Sequence, residues 1–361
     1  MPSKPPSVTV VGPFPPLKGG ISQHTAHLAD SLEREGMKVT RISWAHQYPK
    51  ALYGRDQVDN HAIPSPDVDW LLSWRNPLSW LTAARRARKT GDVVVLPWVS
   101  PVHAPIQFFL LRALSKKTVI FHVHNAEPHE RIPLSGPLAR LVLRRADHIV
   151  CHAKAIVKDL RDLGIDRPTS VVTMAPLLNQ ESRKLPQSPP FRLLCLGTIR
   201  DYKGVDIAIG AADELYHSGH DVEITVAGEI WDDAIWPPAE LINAEVPVTT
   251  KLRYVSDSEV AQLLEEHHVL VASYRSATQS AVVPLAFAAG RPVVATDVGG
   301  LAELVEDGVN GAIARTPSTA SVSDAILRAM DNIDTLAAGA KGSEATWADY
   351  ARVIFEVAAL D

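Results

Sequence analysis

Two basic side chains, Arg200 and Lys203, follow a short apolar run of strand length at a turn. Cations held at the end of a strand can neutralise a diphosphate, because lysine supplies a point charge and arginine a planar fork of donors. The residue types and their position therefore predict chemistry on a phosphate group. A pair of ordinary surface charges is the alternative interpretation.

A polar turn precedes the most apolar helix candidate of the chain. Thr278, Gln279 and Ser280 separate the apolar run 268–273 from the small-residue segment 281–289, which is predicted to form a buried helix. Short hydroxyl and amide side chains next to the free amides of a helix start are suited to binding an anion. We interpret the stretch 274–312 as one wall of a nucleotide-diphosphate site. The alternative is structural, since any strand–turn–helix unit of a parallel sheet ends in such a turn.

A glycine pair, Gly19 and Gly20, stands between a strand predicted for 8–11 and a helix with apolar residues at helical spacing. The turn lacks the G-x-G-x-x-G spacing of a dinucleotide site. Two glycines before a helix still allow a ligand to approach the backbone closely. Glycines needed only for a tight turn are the alternative.

Histidines follow the strand predicted for 118–123. His122, His124 and His129 could form a metal cluster, but no carboxylate or cysteine completes one at ligand spacing, so we predict no metal site. We predict instead that His124 hydrogen-bonds substrate, because parallel sheets bind ligands at the carboxyl ends of their strands. A structural histidine is the alternative.

Two further features carry no predicted chemistry. The D-x-D sequence Asp67-Val68-Asp69 could bind a metal-bound nucleotide sugar, but it lies in a proline-flanked stretch that we interpret as a solvated loop. Cys151 and Cys195 lie in apolar strand-like runs and form neither a metal spacing nor a disulfide framework. We predict both to be inert core residues.

Size and charge place limits on the kind of protein. The chain has 361 residues, 46% of them hydrophobic, which is enough for two domains. It shows neither an apolar run of membrane-spanning length nor the apolar core of a signal peptide, so we predict a cytoplasmic protein.

Residues 1–180 carry 23 Lys and Arg against 14 Asp and Glu, a net charge of +9, whereas residues 181–361 carry 13 against 27, a net charge of −14. The basic half suggests an anionic partner, nucleic acid or membrane phosphate; two independently drifting surfaces are the alternative.

A basic helix is the strongest candidate for that partner surface. The segment 76–92 is predicted to be helical with Leu78, Leu81 and Ala84 on its apolar side. The opposite side carries Arg85, Arg86, Arg88 and Lys89, and Trp74, Trp80, Phe108 and Phe109 are nearby in sequence. We predict that this helix face contacts the inner surface of an anionic cell membrane and does not bind nucleic acid.

Strands and helices alternate along the chain, which predicts an α/β protein with two Rossmann-like, doubly wound domains facing across a cleft. We assign residues 1–175 to one domain, 190–345 to the other and 346–361 to a helix that packs back at the junction. The region 45–74 is predicted to be a long loop, and 291–296 the final strand.

Four sequence stretches of the second half, in order, are GTIRDYKGVDIAI, VAGE, LRYVSDSEVAQLLEEHHVLVASYRSATQS and GRPVVATDVGGLAELVEDGVNG. Together they resemble glycosyltransferase family 4, retaining transferases of the GT-B fold, and VTVVGPFPPLKGGISQHTAHLADSLEREG is similar to the family's N-terminal glycine turn. The resemblance implies a nucleoside-diphosphate sugar donor, a saccharide or lipid-linked acceptor, and no cofactor or metal. It also implies that residues 1–175 form the acceptor-side domain and residues 190–345 the nucleotide-sugar-binding domain. It assigns catalysis to His124, Arg200 and Lys203, and donor binding to Gly19, Gly20, Gly228, Tyr254, Val255, Thr278, Gln279 and Ser280.

Two departures from the family pattern affect these assignments. The arginine that the family places directly after the strand's glycine is Thr198 here, and Arg200 comes two residues later. The family's two glutamates, which lie near the donor sugar and the ribose, fall on Ala277 and Leu285. The resemblance therefore leaves Thr278, Gln279 and Ser280 as the nearest polar substitutes.

Three functions are consistent with the sequence. The favoured one is metal-independent transfer of a hexose from a nucleoside-diphosphate sugar, in polysaccharide biosynthesis. A nucleotide-sugar epimerase can share the two-domain architecture. A non-catalytic sugar-nucleotide or glycolipid binding protein would explain the two missing glutamates.

Overall fold

The chain forms two compact units. The computed structural model describes residues 6–49, 56–59, 63–126, 134–178, 184–231, 236–341 and 345–359. The first unit comprises Met1–Thr173 together with Ala345–Asp361, and the second comprises Met174–Glu344. Each unit has its own parallel sheet and its own hydrophobic core. The predicted pair of doubly wound α/β domains is confirmed.

The sheet of the first unit has seven parallel strands in the order β3-β2-β1-β4-β5-β6-β7. The strands are β1 (Ser7–Val11), β2 (Lys38–His46), β3 (Val68–Ser73), β4 (Val93–Trp98), β5 (Thr118–Val123), β6 (His148–Cys151) and β7 (Thr169–Val171). The helices between them are α1 (Gly20–Arg34), α2 (Pro77–Thr90), α3 (Ala104–Ala113), α4 (Ser135–Leu143) and α5 (Lys154–Asp162).

The second unit has a six-stranded parallel sheet in the order β10-β9-β8-β11-β12-β13. Its strands are β8 (Phe191–Leu196), β9 (Val222–Ala227), β10 (Val248–Lys251), β11 (Val269–Ala272), β12 (Val293–Thr296) and β13 (Gly311–Ala314). Its helices are α6 (Val205–His217), α7 (Ala239–Asn243), α8 (Asp257–Glu266), α9 (Val282–Ala288), α10 (Thr319–Asp331) and α11 (Ile333–Ala340).

Apolar runs form the central strands because helices cover both faces of a parallel sheet. All six residues of β4 and all four residues of β12 are buried. Local signals place the helix ends: α8 begins with a capping box in which Ser256 and Glu259 bond each other's backbone amides. The sequence pattern and the tertiary burial therefore agree in the cores.

Three local predictions are wrong. Strand β3, with Asp69 inside it, replaces part of the loop predicted for 45–74, and it forms the edge of the first sheet. Strand β13 follows β12, which was predicted to be the last. Leu78, predicted on the apolar side of α2, is 73% exposed, because the buried side of that helix consists of alanines instead.

The C-terminal helix α12 (Trp347–Ala359) belongs to the first unit. It packs against α1, and its Tyr350 is fully buried. The Tyr350 hydroxyl donates a hydrogen bond to the Val172 carbonyl at 3.1 Å. Helix α12 thus packs in the same unit as α1, although the two helices are far apart in sequence.

Candidate functional site

The order of strands determines where a ligand can bind in the second unit. Strand β8 is central: the chain continues to β9 and β10 on one side, and to β11, β12 and β13 on the other. Beyond the carboxyl ends of β8 and β11 the connecting segments diverge, and such a point is where open α/β sheets form ligand crevices. Arg200 and Lys203 follow β8, whereas Thr278, Gln279 and Ser280 follow β11. The fold therefore brings these two predicted groups to the same edge.

Lys203 lies in the turn that leads from β8 into α6. A Cβ atom added at Gly197 would lie 2.8 Å from the Lys203 Nζ, so the ammonium group fits against a bare glycine Cα. Burial, and secondarily the nearby Arg200 cation, lower the pKa of Lys203. In the described ranges, no carboxylate forms an ion pair with it. This half-buried cation is suited to a phosphate ligand.

Arg200 lies in the same turn and stacks on an aromatic ring. Its guanidinium carbon lies 3.9 Å from the centre of the Trp231 ring, a cation–π arrangement. The stacking positions the plane of the guanidinium group, whose N–H donors lie at the edge of that plane and not on the face that covers the ring. The shift of arginine from position 198 to position 200 is thus accompanied by an aromatic support that the sequence resemblance did not predict.

A clamp from the segment after β11 holds this turn in place. The Arg275 guanidinium pairs with Asp206 through two hydrogen bonds, and its backbone amide donates to the Tyr202 carbonyl at 2.7 Å. The Ser273 hydroxyl donates to the Gly204 carbonyl at 2.6 Å. The two walls of the candidate site are therefore linked by fixed hydrogen bonds.

The second wall is built around Tyr274. Its hydroxyl lies 3.3 Å from the Ser280 hydroxyl, and its carbonyl accepts from Thr296 at 2.6 Å. Its ring centre is 5.4 Å from the Lys203 Nζ, and burial raises the pKa of the phenol to about 12. Lys203, Tyr274 and Ser280 consequently form a continuous line from one wall to the other.

The two positions where the family has glutamate are packed against the protein. Ala277 is 8% exposed and Leu285 is 6% exposed. A Cβ atom added at Gly299 would lie 1.8 Å from the Ala277 carbonyl oxygen, so the turn after β12 packs directly on this backbone. The structure thus places small or apolar groups where the family's carboxylates would lie.

The other donor residues predicted in this unit border the same edge of the sheet. Gly228 follows β9 with φ of +154°, and a Cβ there would lie 2.1 Å from the Gly197 carbonyl oxygen. Tyr254 and Val255 lie between β10 and α8, with Tyr254 37% exposed. The ion pair of Arg253 with Glu259 fixes this segment. The same ion pair keeps the pKa of the Glu259 carboxyl far below its usual range.

Gly19 and Gly20, in the first unit, stand at the start of α1. Gly19 has φ of +110°, and nothing lies within 4 Å of an added Cβ. Its left-handed backbone favours glycine, while the open space beside it leaves room for a ligand. Gly20 is the first residue of the helix.

His124 is 3% exposed and lies in a cluster of four buried histidines with His24, His122 and His152. Burial lowers the pKa of His124 to about 3. Burial and neighbouring imidazoles hold the pKa values of the other three well below the ordinary value. Burial therefore favours the neutral form of all four rings. His129, considered above with them, lies outside the described residues.

Sequence reasoning missed His24, His152, Tyr350 and Arg275. A signal existed for one of them: His152 follows the end of β6 directly, as His124 follows the end of β5. These strands are neighbours with Val123 opposite Cys151, so the two histidines lie at the same level of the sheet. His24 and Tyr350 lie on helices far away in sequence, and no local pattern connects them.

The basic face of α2 is solvent-exposed at Arg85, Arg86, Arg88 and Lys89. Arg86 donates a hydrogen bond to Asp69 at 2.7 Å, which agrees with an ordinary structural role for that aspartate. Among the described residues, no helix is both long enough and apolar enough to span a membrane.

The fold and the basic turn define a class of protein. HepE from Anabaena, solved in complex with UDP and glucose, superimposes with a TM-score of 0.75 at 16% identity, covering 98% of this chain and 100% of that one. The lipopolysaccharide outer core galactosyltransferase WaaB superimposes with a TM-score of 0.71 at 14% identity, covering 97% and 98%. The chain has the GT-B fold of glycosyltransferases.

Sequence profiles identify the family. The profile described as Glycosyltransferase Family 4 matches residues 18–174, and the profile described as Glycosyl transferases group 1 matches residues 190–332. The chain belongs to this family of GT-B glycosyltransferases. D-inositol 3-phosphate glycosyltransferase from Nocardia farcinica is 30% identical over 149 residues, 39% of this chain and 33% of that one, so the match spans about a third of the relative. Glycogen synthase from Mycobacterium tuberculosis is 23% identical over 356 residues, covering 88% and 84%.

Proposed function

We propose that this protein is a retaining glycosyltransferase that moves a hexose from a nucleoside-diphosphate sugar to a saccharide or lipid-linked acceptor. The observation that carries the proposal is the Lys203 ammonium group, which lies without a carboxylate partner among the described residues at the ligand-binding edge of the second sheet. HepE, a relative in fold, binds UDP and UDP-glucose according to its solved complexes, which supports a nucleotide-sugar donor.

In the proposed reaction, the bond from the sugar to the diphosphate breaks, a bond to the acceptor oxygen forms, and the proton of the acceptor hydroxyl leaves with the diphosphate. Negative charge grows on the departing diphosphate, and Lys203 and Arg200 stabilise it. Interactions that strengthen as the transition state forms lower the barrier. Thr278, Gln279 and Ser280 hold the ribose and donor sugar in place of the absent glutamates.

The remaining roles are proposed for residues of both units. Tyr254 and Val255 face the base, and Gly228 keeps the backbone clear beside the donor. Gly19 and Gly20 admit donor and acceptor close to the backbone. His124 hydrogen-bonds the donor sugar, and because its side chain is buried, this contact requires the residues that cover it to move.

A non-catalytic nucleotide-sugar binding protein is the second candidate. The buried Ala277 and Leu285 favour it, because they remove two carboxylates from the donor site. An epimerase of the same architecture is the third. Purified protein incubated with a panel of labelled donors and a membrane lipid extract distinguishes the three: transfer to an acceptor, sugar conversion without transfer, or binding alone.

We expect transfer to proceed at an unchanged initial rate in excess EDTA, because side chains neutralise the leaving group and no Mg²⁺ is needed. Rates measured with EDTA, with Mg²⁺ and with Mn²⁺ check this. Loss of activity that Mg²⁺ or Mn²⁺ restores would contradict it and would return Asp67 and Asp69 to consideration as ligands. Loss that only Zn²⁺ restores would concern the histidine cluster, whose imidazoles prefer such ions.

We propose that the protein is cytoplasmic and binds the inner face of the cell membrane reversibly through α2. Each basic residue near an anionic bilayer contributes about 1 kcal/mol, and salt screens the attraction. We expect sedimentation with anionic vesicles and not with neutral ones, weakening as salt rises. Replacing Arg85, Arg88 and Lys89 by Glu should reduce binding without changing donor affinity, since the donor phosphates are assigned to the second unit.

A second basic surface of the first unit provides the matched control. A cavity of about 1020 Å³ at the amino ends of β4 and β5 is lined by Lys116, Lys117 and Arg144, among other cations. Replacing these three by Glu changes the net charge equally at a different place. If this variant loses binding while the α2 variant keeps it, the membrane surface has been assigned wrongly. Equal sedimentation with both vesicle types, or sedimentation with neither, would point to a soluble acceptor and leave the basic half as a solvated surface.

A further inference from the structure

We propose that His24, His122 and His152 bind a single transition-metal ion of the zinc class inside the first unit. One ring nitrogen from each histidine lies within 4.8 Å of the other two. The three side chains are 1%, 3% and 4% exposed. The proposal is independent of the transferase activity, because it concerns residues to which the mechanism assigns no role.

The fold converges the three ligands from separate elements. His122 is the fifth residue of β5, His152 directly follows the neighbouring strand β6, and His24 reaches the strand ends from α1. The centre of the His122 ring lies 4.3 Å from the centre of the His24 ring and 4.5 Å from the centre of the His152 ring. Zinc–nitrogen bonds of about 2.0–2.1 Å in a tetrahedral site imply nitrogens about 3.4 Å apart. Small side-chain rotations would close the present spacing onto an ion.

Each of the three histidines has at least one ring nitrogen without a hydrogen-bond partner among the described residues. In the part of the chain that the structure describes, neither ring nitrogen of His24 has a hydrogen-bond partner, and neither has the Nε2 of His122 or of His152. Buried polar atoms are normally paired, so several orphaned nitrogens in one cluster of side chains require an explanation. A bound cation satisfies all three rings together. Neutral imidazole, the form that burial favours here, is also the form that ligates metals.

Two oxygen atoms that contact His152 orient its imidazole ring. The Nδ1 of His152 contacts the Tyr350 hydroxyl and lies 3.3 Å from the Val172 carbonyl. A proton on Nδ1 directed at these oxygens leaves the lone pair on Nε2, which is the orphaned atom. Metal-bound histidines typically have such a partner on the other ring nitrogen.

The ligand set selects the class of ion. Three imidazoles suit Zn²⁺, Cu²⁺, Ni²⁺ and Co²⁺, whereas Mg²⁺ and Ca²⁺ prefer oxygen ligands. Three protein ligands leave a fourth position of a tetrahedral site for water or for another group.

The test uses untagged protein, because a polyhistidine tag binds the same ions. Elemental analysis of protein purified without chelator should find about one zinc-class ion per chain. Metal-free protein titrated with Co²⁺ should develop the visible absorption of a nitrogen-ligated, four-coordinate ion at a 1:1 ratio, and Zn²⁺ should displace it. Zn²⁺ should also raise the unfolding temperature, since a ligand that binds only the native state stabilises it.

Variants localise the site. His24→Ala and His122→Ala should each weaken Co²⁺ binding more than 100-fold, and Tyr350→Phe should weaken it about 10–100-fold, as loss of an outer partner does. His27→Ala, one turn further along α1, is the matched control and should keep wild-type affinity. Should His24→Ala not fold, His24→Gln removes the imidazole while keeping a polar side chain of similar length. No binding by the folded wild-type protein, or an unchanged cobalt spectrum in the folded His24 and His122 variants, would overturn the proposal.

Discussion

Replacing Lys203 by alanine should lower the turnover number at least about 100-fold while the fold remains intact, as loss of other charge-stabilising groups does. The reason is that Lys203 would meet negative charge that grows as the diphosphate leaves. Its effect should therefore fall on kcat and on kcat/KM together, with little change in KM alone. Steady-state kinetics with the best donor of the panel measure this, and circular dichroism checks the fold.

Two comparison variants separate the site from the general charge of the unit. Lys341→Ala removes an exposed cation of the second unit that lies outside the turn, and it should leave kinetics unchanged. Lys203→Arg keeps the charge but not the point geometry against Gly197, so it should recover only part of the rate. Near-wild-type turnover in Lys203→Ala would refute the assignment of the diphosphate site.

Gly204→Ala should destabilise the second unit by about 2–5 kcal/mol and displace the turn that carries Arg200 and Lys203. Gly204 has φ of +59°, and an added Cβ would lie 2.1 Å from the Ser273 carbonyl oxygen. The left-handed backbone costs a residue with a Cβ about 1–2 kcal/mol. Overpacking against a fixed backbone adds about 1–3 kcal/mol. Urea unfolding measures the change in the free energy of unfolding.

Gly219→Ala isolates the first of these effects, the cost of the left-handed backbone. Gly219 also has a left-handed backbone, with φ of +88°, but nothing lies within 4 Å of an added Cβ. It should therefore lose only about 1–2 kcal/mol and keep its activity. If the two alanine variants were equally stable, the close approach of Ser273 to the turn would be contradicted.

The sequence alone determined the architecture and the position of the basic turn. Long β-branched and apolar runs such as β4 form buried parallel strands in almost any context, because helices cover both faces of the sheet. Lys203 was predictable because a strand end, a glycine and a cation within a few residues form a local signal. Edge strand β3 was not predictable, since its first four residues are only partly buried or exposed and show no hydrophobic pattern.

Only the tertiary structure decided the histidine cluster and its support. His152 and Tyr350 are 198 residues apart in the chain, yet their side chains touch because α12 returns to the first unit and packs against α1. Likewise, Arg275 is 69 residues from Asp206, and their pairing connects the two walls of the candidate site. Periodicity reports which side of an element is apolar, whereas the partner of each side depends on how distant elements pack together. The sequence thus determined the elements and the candidate phosphate turn, and the packing of α1, β5, β6 and α12 determined where the imidazoles meet.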